Sequence, residues 1–456
     1  MANSPLPPRL DPQISNFLES EKETIFQATE VLGTPAHFVF PQLLRQNADK
    51  FRDVLHSHGL DQSTLYFATK VNKAESFLEE AARNDVGADV SSIEELRSSL
   101  GHGILGNRIS VSGPAKKERL LTLAAQHGCT ISIDSSNELD TLIALLGKIE
   151  SPKPSILIRL SGLSQAHTRF GVLAEDLPSL LSKVPSENSK VNLKGFHFHL
   201  SGYSIDERVV ALKAAIIELQ KARALGHACN TINIGGGFAV RYVNAEDWKH
   251  FQSERTPESF IGSKDIQSFY PYGIELDAQQ QLEAILTART DTHGQIADLL
   301  KAENIHLAIE PGRSLVDQAG ITCVQVKGVK PTSDGTYVVE VDANINHLSE
   351  QWFGSEYCVD PIHLRKNSDE QDPPIKAAVA GNTCLEIDML SWRKIGFKNM
   401  PRAGDILVYA NTAGYQMDSN ESSFHHLPIP EKIAAFKKEG KWKWKKDAEY
   451  SFLDPL

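Results

Sequence analysis

The chain has 456 residues, 41% of them hydrophobic and 23% charged, and a formal net charge of -11. The length suits two or three domains with ample core material, and the acidic balance argues against a nucleic-acid partner, which needs a basic patch to meet phosphates. No run approaches the roughly 18 apolar residues of a membrane span, the N-terminus lacks the basic and apolar regions of a secretory leader, and five scattered cysteines without a CxxC pair point to a reducing, cytoplasmic setting rather than a disulfide framework or structural zinc.

Residues 1–40 open Pro-rich and turn helical in FLESEKETIFQATEVLG. The β-like AHFVFP (36–41) follows, and this N-terminal helix and strand fit either the barrel described next or the β-domain at the other end. From about residue 60, short β-rich runs alternate with helical stretches, the pattern of βα units on a parallel sheet. The runs are LYFATK (65–70), GADVSS (87–92), RISVSG (108–113), TISIDS (130–135), SILIRLS (155–161), GFHFHL (195–200), TINIGGG (231–237) and HLAIEPG (306–312). Helices are expected between them, as in SFLEEAARN, SIEELRSSL, KERLLTLAAQHG and ERVVALKAAIIELQKARALGH. Eight strands over roughly 250 residues match a TIM (β/α)8 barrel, assigned to 41–317; a doubly wound open sheet is the alternative. The interval 241–305 is longer than one helix needs and predicts an insertion around SERTPESFIGSKDIQSFYPYG. From 318 to 456 the β-rich runs GITCVQVKGVK, GTYVVEVDAN, IKAAVAGNT and GDILVYANTAG lack long helices between them, which predicts a C-terminal all-β domain of sandwich or Greek-key type. The basic run KKEGKWKWKKD reads as an amphipathic strand or tail with solvated lysines, ahead of a single-strand nucleic-acid site.

A barrel carries its chemistry at the C-terminal ends of its strands. Those ends hold Lys70; Asp89 with Glu95 following; His199; Gly235, Gly236 and Gly237; and Glu310, Pro311, Gly312 and Arg313. Lys70, ending an apolar strand, is expected to be partly desolvated, with a lowered pKa and an accessible neutral amine. Such an amine is a nucleophile for carbonyls; a lysine that only snorkels or pairs with a carboxylate is the alternative. The glycines of IGGGFAV let the backbone approach a phosphate closely, in the part of a barrel where phosphates bind. Arg313 would add charge there. A tight turn is the plain alternative, and as a dinucleotide signal the run fails, because GxGxxG is absent. His197 and His199, two apart on a strand, share a face and have the spacing of a metal-binding pair. The other strand ends offer no matching ligand set, so no metal is expected. A flat imidazole lying on an aromatic ring fits as well. Lysine, phosphate loop, stacking histidine and carboxylate together suggest pyridoxal 5′-phosphate, with Glu310 holding a proton on the pyridine nitrogen.

The motifs YFATKVNK, GADVSS, FHFHL, INIGGG, IEPGRSLVDQAG, GNTCLEID and GDILVYANTAGY occur in this order. Their order and spacing resemble the fold-type III pyridoxal-phosphate decarboxylases, the ornithine and diaminopimelate decarboxylase family. GTPAHFVFPQ and CLEIDML resemble its Y4yA-like branch. The resemblance implies a barrel followed by a β-domain, paired head to tail in a homodimer with shared active sites and acting on a small-molecule amino acid. It implies Lys70 as the Schiff-base lysine, Asp89 as an acid near the cofactor ring and His199 as the residue stacked on it. Gly236, Gly237, Gly312, Arg313 and Tyr415 are implied as phosphate contacts, and Glu310 as the partner of the pyridine nitrogen. Cys384, contributed from the partner subunit, is implied to reprotonate the substrate carbanion once the α-carboxylate has left. Related alanine racemases place an arginine at the pyridine nitrogen, so Glu310 favours decarboxylation over racemisation. An inactive regulatory homologue would have lost these residues, and they are in place.

Three departures bear on substrate. The family follows its ring histidine with Gly-Ser, whereas here Leu200, Ser201 and Gly202 follow, which leaves Ser201 as the serine candidate. The family cysteine is followed by an acid that recognises the substrate's distal amino group; here that position is Leu385, which cannot pair with an ammonium. Glu386 and Asp388 are the candidate stand-ins. VDANINHLSEQW resembles the family's VDAGMN segment and adds Asp342 as a substrate candidate, but no arginine follows shortly to bind a carboxylate. The departures imply a substrate other than ornithine or diaminopimelate bound in the standard way, with a modified or conjugated diamino acid as the candidate class.

Overall fold

The computed structural model describes residues 4–165, 168–290, 293–348, 356–366 and 371–450. Eight parallel strands close into a barrel: Thr64–Ala68, Gly87–Val90, Ile109–Val111, Thr130–Ile133, Ser155–Ser161, Asn192–His197, Thr231–Asn233 and His306–Ile309. Each pairs with the next, and the eighth returns to the first through Ala308 against Thr64 and Ile309 against Leu65. These are the eight runs expected from the sequence, and their closure replaces the open-sheet alternative. The strands are covered on both faces, so they read as nearly continuous apolar runs. Ile131, Ile133, Ile156, Ile158, Phe196, Ile232 and Ile309 are all fully buried.

Helices lie between the strands, and a side-chain cap opens several of them. Ser92 opens the helix Ile93–Gly101 by accepting the Glu95 N–H at 3.1 Å, while the Glu95 carboxylate accepts the Ser91 and Ser92 N–H groups. Glu95 therefore serves a helix start rather than the barrel mouth.

A second, mixed sheet forms the β-domain, from Gly320–Pro331 through Lys441–Lys446. The strand Ala36–Val39 lies inside it, antiparallel to Gly320–Pro331 and parallel to Glu431–Lys438. Its Ala36, His37, Phe38 and Val39 are all buried, so four residues from the N-terminus bridge two segments far along the chain. The tryptophan-lysine run is the edge strand Lys441–Lys446. Trp442 packs edge-on against Phe17 and Phe40, with ring centroids 5.0 and 5.9 Å apart, and lysines on an edge discourage further pairing.

The insertion is structural. Its helix Ala245–Glu254 and the turns after it bring Phe251, Phe260, Tyr270 and Tyr272 into a second core with Tyr242, Val324, Leu390 and Tyr409. Aromatic packing thus seats the β-domain over the barrel mouth and fixes Tyr270 beside the cavity described next. Among the described residues, no helix is long and apolar enough to cross a membrane.

Candidate active site

The first barrel strand ends at Ala68, and Lys70 lies just beyond it in the single turn Thr69–Val71, closed by the Asn72 N–H on the Thr69 carbonyl at 3.2 Å. The turn delivers Lys70 to a cavity of about 430 Å³ at the C-terminal ends of the strands. His199, Ser201, Gly236, Gly237, Glu310, Gly312, Arg313 and Tyr415 line the same cavity. Four separate strand ends and the β-domain therefore converge on one opening. Asp89 is buried close by on the second strand.

The expected lowering of the Lys70 pKa is reversed. Burial among protein atoms pulls it down, but Asp89, then Tyr415 and Glu310, outweigh this and hold the ammonium above its ordinary value, although the side chain stays accessible through the cavity. The sequence showed the apolar strand beneath the lysine but not the carboxylates that neighbouring strands bring to it.

The two acids differ. Glu310 accepts from Asn233 Nδ2 at 2.6 Å and Ser110 Oγ at 3.3 Å, and lies 3.5 Å from His197 Nε2. Burial pushes its carboxyl up, yet His197, His199 and Lys70 draw it down to about 2. Burial pushes His197 down, so in this pair the carboxylate keeps the charge and the imidazole is neutral. Asp89 is pushed up to about 8, by burial first and then by Glu310, against the pull of Lys70. Ser112 supplies a hydrogen bond to its carboxyl, and among the described residues its Oδ1 is buried without a partner.

The two histidines, expected on one face, divide the work. His197 ends the sixth strand inside the barrel, with Nδ1 2.6 Å from Ser132 Oγ. His199 lies past the strand end, and its pKa is lowered to about 3 by burial and then by Lys70. Its Nδ1 accepts the Gly236 N–H at 3.2 Å, which leaves the proton of the neutral ring on Nε2.

The glycine run forms a cup that admits no side chain. Gly235 and Gly237 have φ of 66° and 78°, and a Cβ on Gly236 would stand 2.4 Å from the Glu310 carbonyl oxygen. Beneath the cup, buried Arg208 donates to the Gly236 carbonyl at 2.9 Å, and burial lowers its pKa to about 10. Arg313 donates to the Gly414 carbonyl at 2.9 Å and lies 4.4 and 5.0 Å from the Tyr270 and Tyr415 ring centroids. The Tyr415 hydroxyl closes on Gly312, where an added Cβ would be 3.1 Å away. Ser201 reaches the cavity, and Gln165 holds its backbone N–H and carbonyl at 3.1 and 2.8 Å.

Cys384, Asp342, Glu386 and Asp388 are absent from this cavity's lining among the described residues. Cys384, Leu385 and Glu386 are exposed on the loop 381–388. Asp388, a substrate candidate from the sequence, is engaged within its own loop. It is buried and accepts Thr383 N–H at 2.8 Å, Thr383 Oγ1 at 2.6 Å and Ile345 N–H at 2.7 Å, so it shapes the loop from within. Asp342 is likewise engaged, by Asn382 at 3.0 Å, Thr34 at 3.2 Å and Lys327 at 3.3 Å.

Sequence reasoning missed Asn233, which accepts the Gly235 N–H at 2.9 Å while donating to Glu310. It also missed Arg208 and Arg159, the latter 3.7 Å from Asp134 and 4.3 Å from the Phe170 ring centroid. The available signal was a lone polar residue in an apolar run: Asn in TINI, Arg in SILIRLS.

Fold and cavity define a class: a (β/α)8 barrel with a β-domain over its mouth and a lysine-centred, glycine-cupped site between them. Residues 44–317 match the family model described as the pyridoxal-dependent decarboxylase, pyridoxal binding domain, and the chain belongs to that family, the fold-type III decarboxylases. It is 36% identical over 426 residues, 93% of each chain, to the uncharacterized protein y4yA of Sinorhizobium fredii. It is 28% identical to the diaminopimelate decarboxylase of Zymomonas mobilis, over 69% of each chain. The crystal structure of diaminopimelate decarboxylase from Helicobacter pylori complexed with L-lysine shares the fold, with a TM-score of 0.70 at 20% identity, covering 93% of this chain and 95% of that one.

Proposed function

We propose that the protein is a cytoplasmic, homodimeric, pyridoxal-phosphate-dependent amino-acid decarboxylase. The observation that carries this reading is the convergence of Lys70, His199, Glu310 and the glycine cup on one cavity. These residues fit the cofactor. Lys70 offers an amine for its aldehyde, and the flat neutral His199 offers a face for its ring. Gly236, Gly237 and Gly312 leave room that a Cβ would fill, and Arg313, Tyr415 and Ser201 border it. When bound, pyridoxal phosphate supplies an electron sink for the electrons that a departing carboxylate leaves behind.

The chain's own residues do the rest. Glu310, ionised and fixed by Asn233, holds a proton on the pyridine nitrogen. Asp89, buried close to the cavity, would be the second acid near the cofactor ring. Lys70 would hold the cofactor's aldehyde, and its amine, on the turn beyond the first strand, would face the substrate in the cavity. Cys384 from the partner subunit donates the proton that completes the amine product. Leu385 denies the site an acid for a distal ammonium, and Glu386, exposed on the same loop, is left as the loop's substrate-facing carboxylate. This favours a diamino acid whose far nitrogen is acylated or conjugated.

The test is carbon dioxide release by the reconstituted protein from a panel of D- and L-amino acids, including acylated diamino acids. Release from at least one member, abolished in Lys70→Ala, is expected. A protein that binds the cofactor and releases carbon dioxide from none, or that racemises the recovered substrate instead, would overturn the reading.

A further inference from the structure

Cys384 is paired on its own subunit. Its Sγ lies 3.3 Å from Nε2 of His425, on the turn Phe424–His426. His425 and His426 both hold left-handed backbone, with φ of 60° and 58°, a conformation non-glycine residues rarely take. The His425 ring is backed by Phe424, with centroids 4.3 Å apart. Around the pair, Leu385, Ile387 and Phe424 present apolar surface, 48%, 58% and 40% exposed. The other four cysteines are buried.

An imidazole within hydrogen-bond reach of a thiol is the arrangement that exchanges a proton with sulfur and stabilises the thiolate. The loop 381–388 and the turn come from different segments and meet at these two atoms.

We propose that His425 is a positioning residue for Cys384, holding the thiol and returning its proton after each turnover. The role rests on the decarboxylation proposed above. The S–H bond of Cys384 breaks as its proton passes to the substrate α-carbon, where a C–H bond forms and a thiolate remains. The Nε2–H bond of protonated His425 then breaks as S–H re-forms, and solvent reprotonates the neutral imidazole. His425 never touches substrate.

The test uses the full-length holoenzyme and iodoacetamide at neutral pH, with the alkylated cysteine located by peptide mass. Alkylation of Cys384 is expected to slow by about ten-fold in His425→Ala and in His425→Gln, which lacks a basic nitrogen. Added imidazole should restore the rate in His425→Ala. His426→Ala, on the same turn, should stay within about two-fold of wild type. In turnover, His425→Ala should lower kcat and leave KM unchanged. Wild-type alkylation rates in a folded His425→Ala protein, or an equal loss in His426→Ala, would overturn the proposal. Alkylation needs no turnover, so it separates the two readings. Unchanged alkylation with normal carbon dioxide release removes only the His425 role. A His425-dependent thiol in a protein that releases no carbon dioxide removes the decarboxylation, and with it the proton-return role.

Discussion

Asp89 and Glu310 both act on Lys70, and their protons follow opposite rules. Asp89 is pushed up to about 8, chiefly by burial and then by Glu310. The folded protein therefore binds a proton there that the unfolded chain releases near pH 4. Stability from this group is full below about pH 4 and falls as pH rises through the window to about 8, by up to about 1.4 kcal/mol per pH unit. Glu310 is drawn down to about 2 against its own burial, so its contribution is full above about pH 4.5 and is lost as pH falls toward 2. Buried neutral histidines such as His199 and His197 add stability as pH rises to about 6.5, so the cofactor-free protein should lose thermal stability through Asp89 between about pH 6.5 and 8, and Asp89→Asn should flatten that slope. Melting curves across this range would check it; an unchanged slope in the variant would exclude Asp89 as the source. For Glu310→Gln, carbon dioxide release should drop by about 10²-fold or more, because a neutral amide cannot hold the ring proton. Cofactor content should remain near normal, so absorbance and activity measured together separate lost chemistry from lost binding.

At the scale of elements, the seventh strand shows how a short turn sets a site. Thr231–Asn233 stops after three residues, and the glycines beyond it leave the sheet with positive φ at Gly235 and Gly237. Asn233 ties this turn to Glu310, and Arg208 ties it to the helix Ile205–Ala224. The cup is therefore rigid in two directions. Gly236→Ala would force the Glu310 carbonyl away from the new Cβ, at a cost of about 1–3 kcal/mol. Weaker pyridoxal-phosphate binding, by about ten-fold or more, and a lower melting temperature should appear together in a cofactor titration and a thermal scan. The loop 381–388 is set differently, from inside, by Asp388. Its outward residues, Cys384 and Leu385, are exposed on the side away from Asp388.

At the scale of the whole molecule, one chain holds the Lys70 cavity and the Cys384 loop apart. The proposed dimer unites them across two subunits, so inactive chains should complement each other. Mixing Lys70→Ala with Cys384→Ala subunits should restore activity to about a quarter of the wild-type sites, since half of the dimers are mixed and each carries one intact site. Activity after dissociation and remixing, with sedimentation to confirm the dimer, measures this. No recovery in a stable mixed dimer would place both residues in the same subunit's site.

The sequence by itself determined the barrel. Each strand carries its own apolar run, and helices such as Ile93–Gly101 carry their own cap and period, so these signals are local and survive in one dimension. It also determined the ordered identities at the strand ends, from Lys70 to Arg313, because the end of a strand is where an apolar run stops. Tertiary structure decided what no local pattern encodes. The strand Ala36–Val39 finds its neighbours nearly three hundred and four hundred residues away. The insertion builds the aromatic floor under the β-domain. Lys70 is held charged by carboxylates from other strands, and Asp388 turns inward while Cys384 meets His425. Charge and hydrogen bonding act through space over a few ångströms, and only the closed chain sets which residues stand that close.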